Sequence, residues 1–232
     1  MSAAAEVTVR ELSVAADEAR LQGVLRIPRN VRGIVLFAHG SGSGRFSPRN
    51  TYVADLLSEA GFATLLFDLL TADEEEIDAL TAELRFDIPL LTGRLAAVTR
   101  WAIEQPELKG LAIGYFGAST GAAAALAAAA QLPVVAAVVS RGGRPDLAGP
   151  ALPEVHAATL LIVGGNDHQV LALNQSALAR LSCEARLEIV PGATHLFVEP
   201  GALEQVASLA AAWFTRHLST ASGKSRQRAS HA

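Results

Sequence analysis

Apolar residues fall along this chain into short unbroken runs separated by stretches of helical spacing. Residues 33–38 (GIVLFA), 62–68 (FATLLFD), 111–116 (LAIGYF), 134–139 (VVAAVV) and 159–163 (TLLIV) are the runs. Such runs predict strands buried on both faces, as in a parallel sheet. Residues 185–190 (ARLEIV) read as a further strand. Between them, residues 51–60, 88–104, 120–131, 170–182 and 200–217 predict helices. Gly61 is a natural stop for the first, and Pro200 is acceptable in the first turn of the last. Residues 6–14 and 20–27 predict two more strands, joined as a hairpin by the polar segment 15–19. Residues 71–86 fit no single pattern and open on an acidic run, Asp73–Glu76, read as a solvated loop or a helix start. From residue 33 onward strand and helix alternate, which predicts an α/β fold with a mostly parallel sheet and helices on both faces. The expectation is one domain over residues 1–218 with about eight strands, the first two antiparallel at one edge.

From Gly110 to Ser140 there is no charged residue, a stretch long enough to span a bilayer. Gly114, Gly117, Gly121 and Pro133 interrupt it, so it reads instead as strand, tight turn, small-residue helix and strand. Half of the residues are hydrophobic and 18% are charged, which supports a sizeable core and excludes global disorder. Aromatics make up 5%, so packing rests on Ala, Val and Leu. A net charge of −4 offers no basic surplus for nucleic acid. Cys183 is the single cysteine, so no intrachain disulfide and no cysteine-based metal site is possible. Charges between Glu6 and Arg20 leave no room for the apolar core of a secretory signal. A cytoplasmic protein is expected, with a polar, basic, disordered tail at residues 219–232.

Chemistry concentrates at the ends of the predicted strands. Gly117-Ala118-Ser119-Thr120-Gly121 fits G-x-S-x-G directly after a buried strand and before a helix. A turn that sharp strains its apex residue and leaves no space for side chains at the flanking glycines. Ser119 Oγ then projects from the carboxyl end of the sheet, beside the Thr120 N–H of the first helical turn, which is placed to meet a developing oxyanion. A serine hydroxyl needs a base. Asp167 follows the strand 159–163 in GGNDH, and His195 follows the strand 185–190 in PGATH. Ser, Asp and His thus occur in that chain order, each just past a strand's carboxyl end. Competitors are His168 for the base and Asp146 for the acid. Asp68 reads as a loop or capping carboxylate, and His39 as a residue that shapes the following loop through backbone hydrogen bonds. The second oxyanion donor is expected in the loop HGSGSG at 39–44, from Ser41 N–H with Gly42 as nearest competitor. That loop lacks the G-x-x-x-x-G-K-[ST] pattern of a phosphate cradle. In Ser140-Arg141-Gly142-Gly143-Arg144-Pro145-Asp146 the two arginines either clamp a substrate carboxylate or pair with Asp146 to fasten the loop. Arg45 and Arg49 carry the same ambiguity.

With HGSGS at 39–43, FGASTG at 116–121, GGNDHQV at 164–170 and PGATHLF at 191–197, the chain resembles the α/β-hydrolase superfamily over nearly all of residues 6–217. Within it, the chain looks like the dienelactone-hydrolase-like group. The resemblance implies Ser119 as nucleophile, Asp167 as orienting acid and His195 as base. Dienelactone hydrolase itself carries a Cys at the elbow, where this chain has Ser119. The expectation is therefore a serine carboxylesterase acting on small or accessible acyl esters, possible lactones included, with little or no lid. Arg141, Arg144 and Gly42 are the candidate substrate-binding residues. The partner is a small-molecule ester; no metal, no organic cofactor, no nucleic acid and no membrane is expected. The alternatives are an acyltransferase on the same three residues, or a non-catalytic binding module with this fold.

Overall fold

A computed structural model describes residues 6–218. The expected tail at 219–232 lies outside the described residues. Two long strands come first, β1 (Val7–Ala16) and β2 (Ala19–Pro28). They pair antiparallel across a turn at Asp17, whose φ of +53° suits a tight reversal. Then follow β3 (Gly33–Ala38), α1 (Pro48–Glu59), β4 (Phe62–Phe67), α2 (Ala72–Thr81) and α3 (Ile88–Glu104). After these come β5 (Ile113–Ala118), α4 (Thr120–Gln131), β6 (Val135–Arg141), β7 (Ala158–Gly164), α5 (His168–Leu178), β8 (Ala185–Val190) and α6 (Ala202–His217).

The strands form one sheet in the order β1-β2-β4-β3-β5-β6-β7-β8. β2 runs antiparallel to both β1 and β4, and every other pairing is parallel. The antiparallel pair at one edge is as the hydrophobic pattern predicts. The uncharged stretch 110–140 is β5, α4 and β6, and no described helix is long and apolar enough to cross a membrane.

Alternation along each strand builds two cores. In β3, Ile34, Leu36 and Ala38 join Tyr115 and Val138 against α3 and α4 on one face. Val35 and Phe37 join Phe116 and Val139 against α1 and α6 on the other. Both sets are buried, which is why the central strands read as unbroken apolar runs. α4 sits deeper than any amphipathic helix, with every residue from Thr120 to Ala129 buried. Only alanine-sized side chains let a helix lie that close to the sheet.

Among the boundaries that differ from the sequence reading, two helix starts have a local reason, and the open reading of the acidic run resolves. α1 starts at Pro48 because the Ser47 side chain accepts from Asn50 N–H and Pro48 occupies the first turn. α6 starts at Ala202, after Gly201 at φ +78°, so Pro200 stands outside it. The acidic run is a helix start: Thr71 and Glu74 form a capping box, and Asp73, Glu74 and Glu75 complement the positive end of α2. Its Ile77 and Leu80 face solvent, so no apolar stripe marked α2 in the sequence.

β4 lies on one side of β3 and β5 on the other, so the chain reverses its direction of travel across the sheet at β3. In open α/β sheets the crevice outside the strand carboxyl ends at such a reversal is where ligands bind.

Candidate active site

Ser119 occupies the turn between β5 and α4 with φ +50° and ψ −121°, a region that non-glycine residues adopt only when the surroundings enforce it. Enforcement is visible on both sides. A Cβ on Gly117 would stand 2.5 Å from Ala122 Cα, and one on Gly121 would stand 2.2 Å from the Ala38 carbonyl oxygen. Ser119 N–H donates to Arg141 O at 3.2 Å, while Ser119 O accepts from Ala122 N–H and Arg144 N–H, each at 3.1 Å. The apex is tied to α4 and to the loop after β6, and the hydroxyl is left facing the cleft.

His195 reaches that hydroxyl from the loop after β8. Its Nε2 lies 3.3 Å from Ser119 Oγ, and its Nδ1 lies 2.6 Å from Asp167 Oδ2. Asp167 stands in the loop after β7, its side chain largely buried. The two loops are laced together. Asn166 N–H donates to Ala193 O at 2.9 Å, and the Asn166 side-chain amide donates to Gly192 O at 2.9 Å. Glu199 receives hydrogen bonds from Thr194 N–H and Thr194 Oγ1, pinning the His195 loop from its far end. Strand order β5-β6-β7-β8 thus converts chain positions 119, 167 and 195 into neighbours.

The loop after β3 forms the opposite wall. Gly40 packs so closely that a Cβ there would lie 3.1 Å from Ser119 Cβ. His39, buried, holds this loop in place: its Nδ1–H donates to Gly40 O at 3.0 Å, and its Nε2 accepts from Leu69 N–H at 2.9 Å. Burial lowers the His39 pKa, which keeps the imidazole neutral and able to accept at Nε2. Among the described residues, neither Ser41 N–H nor Thr120 N–H is bonded to an acceptor. Ser41 lines the Ser119 cleft; Gly42, at φ +66°, lines a neighbouring cavity instead.

The cleft itself measures about 220 Å³ and contains Ser119, His195, Arg141, Arg49 and Leu196. A larger cavity of about 420 Å³ lies across the 40–44 loop, walled by Asp68, Leu69, Leu70 and α2 residues. No residue of α2 or of the 145–154 turn lines the Ser119 cleft, so neither covers it.

The remaining candidates separate clearly. Arg144 makes a bidentate pair with Asp146 at 2.9 and 2.8 Å, the loop-fastening arrangement, and does not line the cleft. That same pairing occupies Asp146. Arg141 does line the cleft and is 7% exposed. Asp68 accepts from Arg45 N–H at 2.7 Å and pairs with the Arg45 guanidinium. Cys183 precedes β8, at the sheet edge opposite the strand ends that carry Ser119 and His195. Asn50, buried, accepts from Arg141 Nη2 at 3.4 Å; nothing in its helical surroundings marked it in the sequence. Among the described residues no cluster of His, Cys, Asp and Glu is grouped to hold a metal ion.

A mostly parallel eight-stranded sheet with Ser, Asp and His delivered in that order to its carboxyl edge defines an α/β hydrolase fold. The chain belongs to the dienelactone hydrolase family, which it matches over residues 21–221. It is 58% identical to the crystal structure of a dienelactone hydrolase from Anabaena variabilis, covering 91% of this chain and 99% of that one with a TM-score of 0.90. Est1E from Butyrivibrio proteoclasticus shares the fold at 16% identity, covering 89% of this chain and 98% of that one with a TM-score of 0.74. Two Mycobacterium tuberculosis proteins, provisionally named phosphoribosyl transferases, are 58% identical over 221 residues, 94% of this chain. The chain spans 49% of the length of these curated relatives.

Proposed function

We propose that this protein is a serine hydrolase of carboxylic esters, with Ser119 as nucleophile, His195 as base and Asp167 as the group that orients it. The carrying observation is the continuous hydrogen-bonded line Asp167–His195–Ser119, at 2.6 and 3.3 Å. Asp167 holds the proton on His195 Nδ1, leaving the Nε2 lone pair toward Ser119 Oγ. As Oγ adds to the ester carbonyl, its proton passes to Nε2, and the imidazolium so formed is stabilised by the Asp167 carboxylate. The carbonyl oxygen becomes an oxyanion, held by Thr120 N–H and Ser41 N–H. The tetrahedral species collapses, its carbon–oxygen bond to the alcohol breaks, and the alcohol leaves with the Nε2 proton. Water then repeats the sequence on the acyl-enzyme: it gives a proton to Nε2 and adds to the carbonyl carbon, the bond to Ser119 Oγ breaks as Oγ takes that proton back from Nε2, and the carboxylic acid departs. The balance closes as ester plus water to acid plus alcohol, with no metal or organic cofactor required of the protein.

A cleft of this size, lined by neither α2 nor the 145–154 turn, supports small or accessible acyl groups, lactones included. A cytoplasmic location agrees with the single cysteine, the substrate on this reading is a small molecule, and the position of Arg141 in the cleft lining supports its contact with that substrate. The same line of residues also serves an acyltransferase if an alcohol replaces water, and adding a primary alcohol to the assay separates the two outcomes. Phosphoribosyl transfer, suggested by the names of the longer relatives, is a property of proteins of which this chain spans 49%, and the Asp167–His195–Ser119 line supports ester hydrolysis instead. Ser119→Ala is expected to abolish hydrolysis of p-nitrophenyl acetate and butyrate in folded protein. Undiminished turnover in that variant defeats the proposal.

A further inference from the structure

Among the described residues, six arginines stand outside any ion pair: Arg20, Arg29, Arg32, Arg49, Arg141 and Arg180. Four of them are exposed and solvated. The other two, Arg49 and Arg141, meet in the Ser119 cleft. Arg141 is 7% exposed, its Nε has no hydrogen-bond partner, and its Nη2 has only the Asn50 amide oxygen at 3.4 Å. The Phe197 ring lies 5.9 Å from its guanidinium carbon. Arg49, half-buried in the first turn of α1, also has an unpartnered Nε. Burial, and then the charge of Arg49, lower the Arg141 pKa to about 10, so it is still a cation near neutral pH.

Buried charges are ordinarily paired, because desolvation without a counter-charge is strongly unfavourable. Here two like charges share one small cleft, and among the described residues no carboxylate pairs with either. The positive end of the α1 dipole, beside Arg49, adds to the same side. Arginine forks match the oxygens of planar and tetrahedral oxyanions. A monocarboxylate answers one of the two charges and leaves the other desolvated. A phosphate monoester answers both and has oxygens for both forks.

We propose that Arg141 and Arg49 form an anion subsite beside Ser119 that takes a phosphate dianion carried by the ester substrate. The phosphate is a handle and does not react; the bonds made and broken are those of the ester, so the inference rests on the hydrolase reading for its chemistry. Arg141 and Arg49 are then specificity residues, and Arg144, spent on Asp146, is not part of the subsite.

Calorimetric titration with inorganic phosphate, at constant ionic strength and with acetate as the comparison anion, tests the subsite without turnover. Phosphate is expected to bind the wild type and Ser119→Ala alike, and to raise KM for p-nitrophenyl acetate without lowering kcat. Arg141→Gln and Arg49→Gln are each expected to weaken phosphate binding by at least about tenfold. Arg49 is less buried, so Arg49→Gln keeps the test meaningful if Arg141→Gln fails to fold. Absence of phosphate binding in the wild type, or unaltered binding in Arg49→Gln, overturns the proposal. Acetate binding as tightly as phosphate overturns the dianion assignment. Because phosphate binding is read in Ser119→Ala as well, a subsite that binds phosphate while the wild type hydrolyses no ester marks failure of the hydrolase reading alone.

Discussion

Replacing Gly121 by alanine adds one carbon at a point walled by backbone on two sides. That carbon would lie 2.2 Å from Ala38 O and 2.3 Å from His39 O. Real Cβ contacts essentially never fall below 3.0 Å, so the groups must separate by at least 3.0 − 2.2, or 0.8 Å. Both obstacles are backbone at the end of β3, with no rotamer to yield, so the first turn of α4 has to move. Overpacking of this kind costs about 1–3 kcal/mol. For a domain of this size that lowers Tm by roughly 2–12 °C, at 2–4 °C for each kcal/mol. The moving turn carries Ser119 and Thr120, and a displacement near 1 Å at reacting groups costs about 100-fold in rate. Gly93 is the control. It lies inside α3, exposed, with nothing within 4 Å of an added Cβ. There the same substitution relieves a helix-interior glycine and stabilises by about 0.5–1 kcal/mol. Thermal melts followed by circular dichroism and kcat/KM on p-nitrophenyl butyrate give both readouts. A Gly121→Ala protein that melts with the wild type at full activity refutes the reasoning, as does a Gly93→Ala protein that loses as much.

Three further outcomes follow from the site and its supports. Asp167→Asn should keep the fold, because the Asp167 side chain makes no cap bond to α5, yet the amide favours the wrong His195 tautomer; kcat should fall by about 10⁴, and a loss under tenfold argues against an orienting role. His39 has its pKa lowered by burial, so the unfolded chain binds the extra proton first; its contribution to stability is complete above the unfolded value near 6.5 and is lost as pH falls from there through the folded value. Melts across that range should show Tm declining on the acid side, and His39→Phe should flatten this component while lowering Tm throughout. Tyr115→Phe removes the hydroxyl that donates to Thr99 Oγ1 at 2.6 Å, but Thr99 still donates to Leu95 O, so about 1 kcal/mol of stability and no activity should be lost, as melts and assays of the folded variant will report.

What the sequence revealed and what it hid have distinct physical causes. β3 to β7 were legible because burial on both faces leaves an unbroken apolar run, and the elbow glycines because backbone approaches from two sides. Positions 119, 167 and 195 could be assembled on paper since parallel strands deliver all their carboxyl ends to one edge. α2 was legible only as one of two readings of its acidic run, because a helix lining a cavity, with Ile77 and Leu80 in solvent, has no apolar stripe. The division of labour between Arg141 and Arg144 was equally hidden. Three residues apart in sequence, they differ only in that Arg144 folds back on Asp146 while Arg141 turns into the cleft toward Asn50, a residue from another element.

Covalent labelling at residue 119 tests the central claim most directly. Intact-mass and peptide analysis after exposure to a fluorophosphonate should find one adduct, on Ser119, in the wild type, slowed sharply in His195→Ala and missing in Ser119→Ala. A folded wild-type protein that stays unlabelled, or that carries its adduct on another residue, contradicts the account.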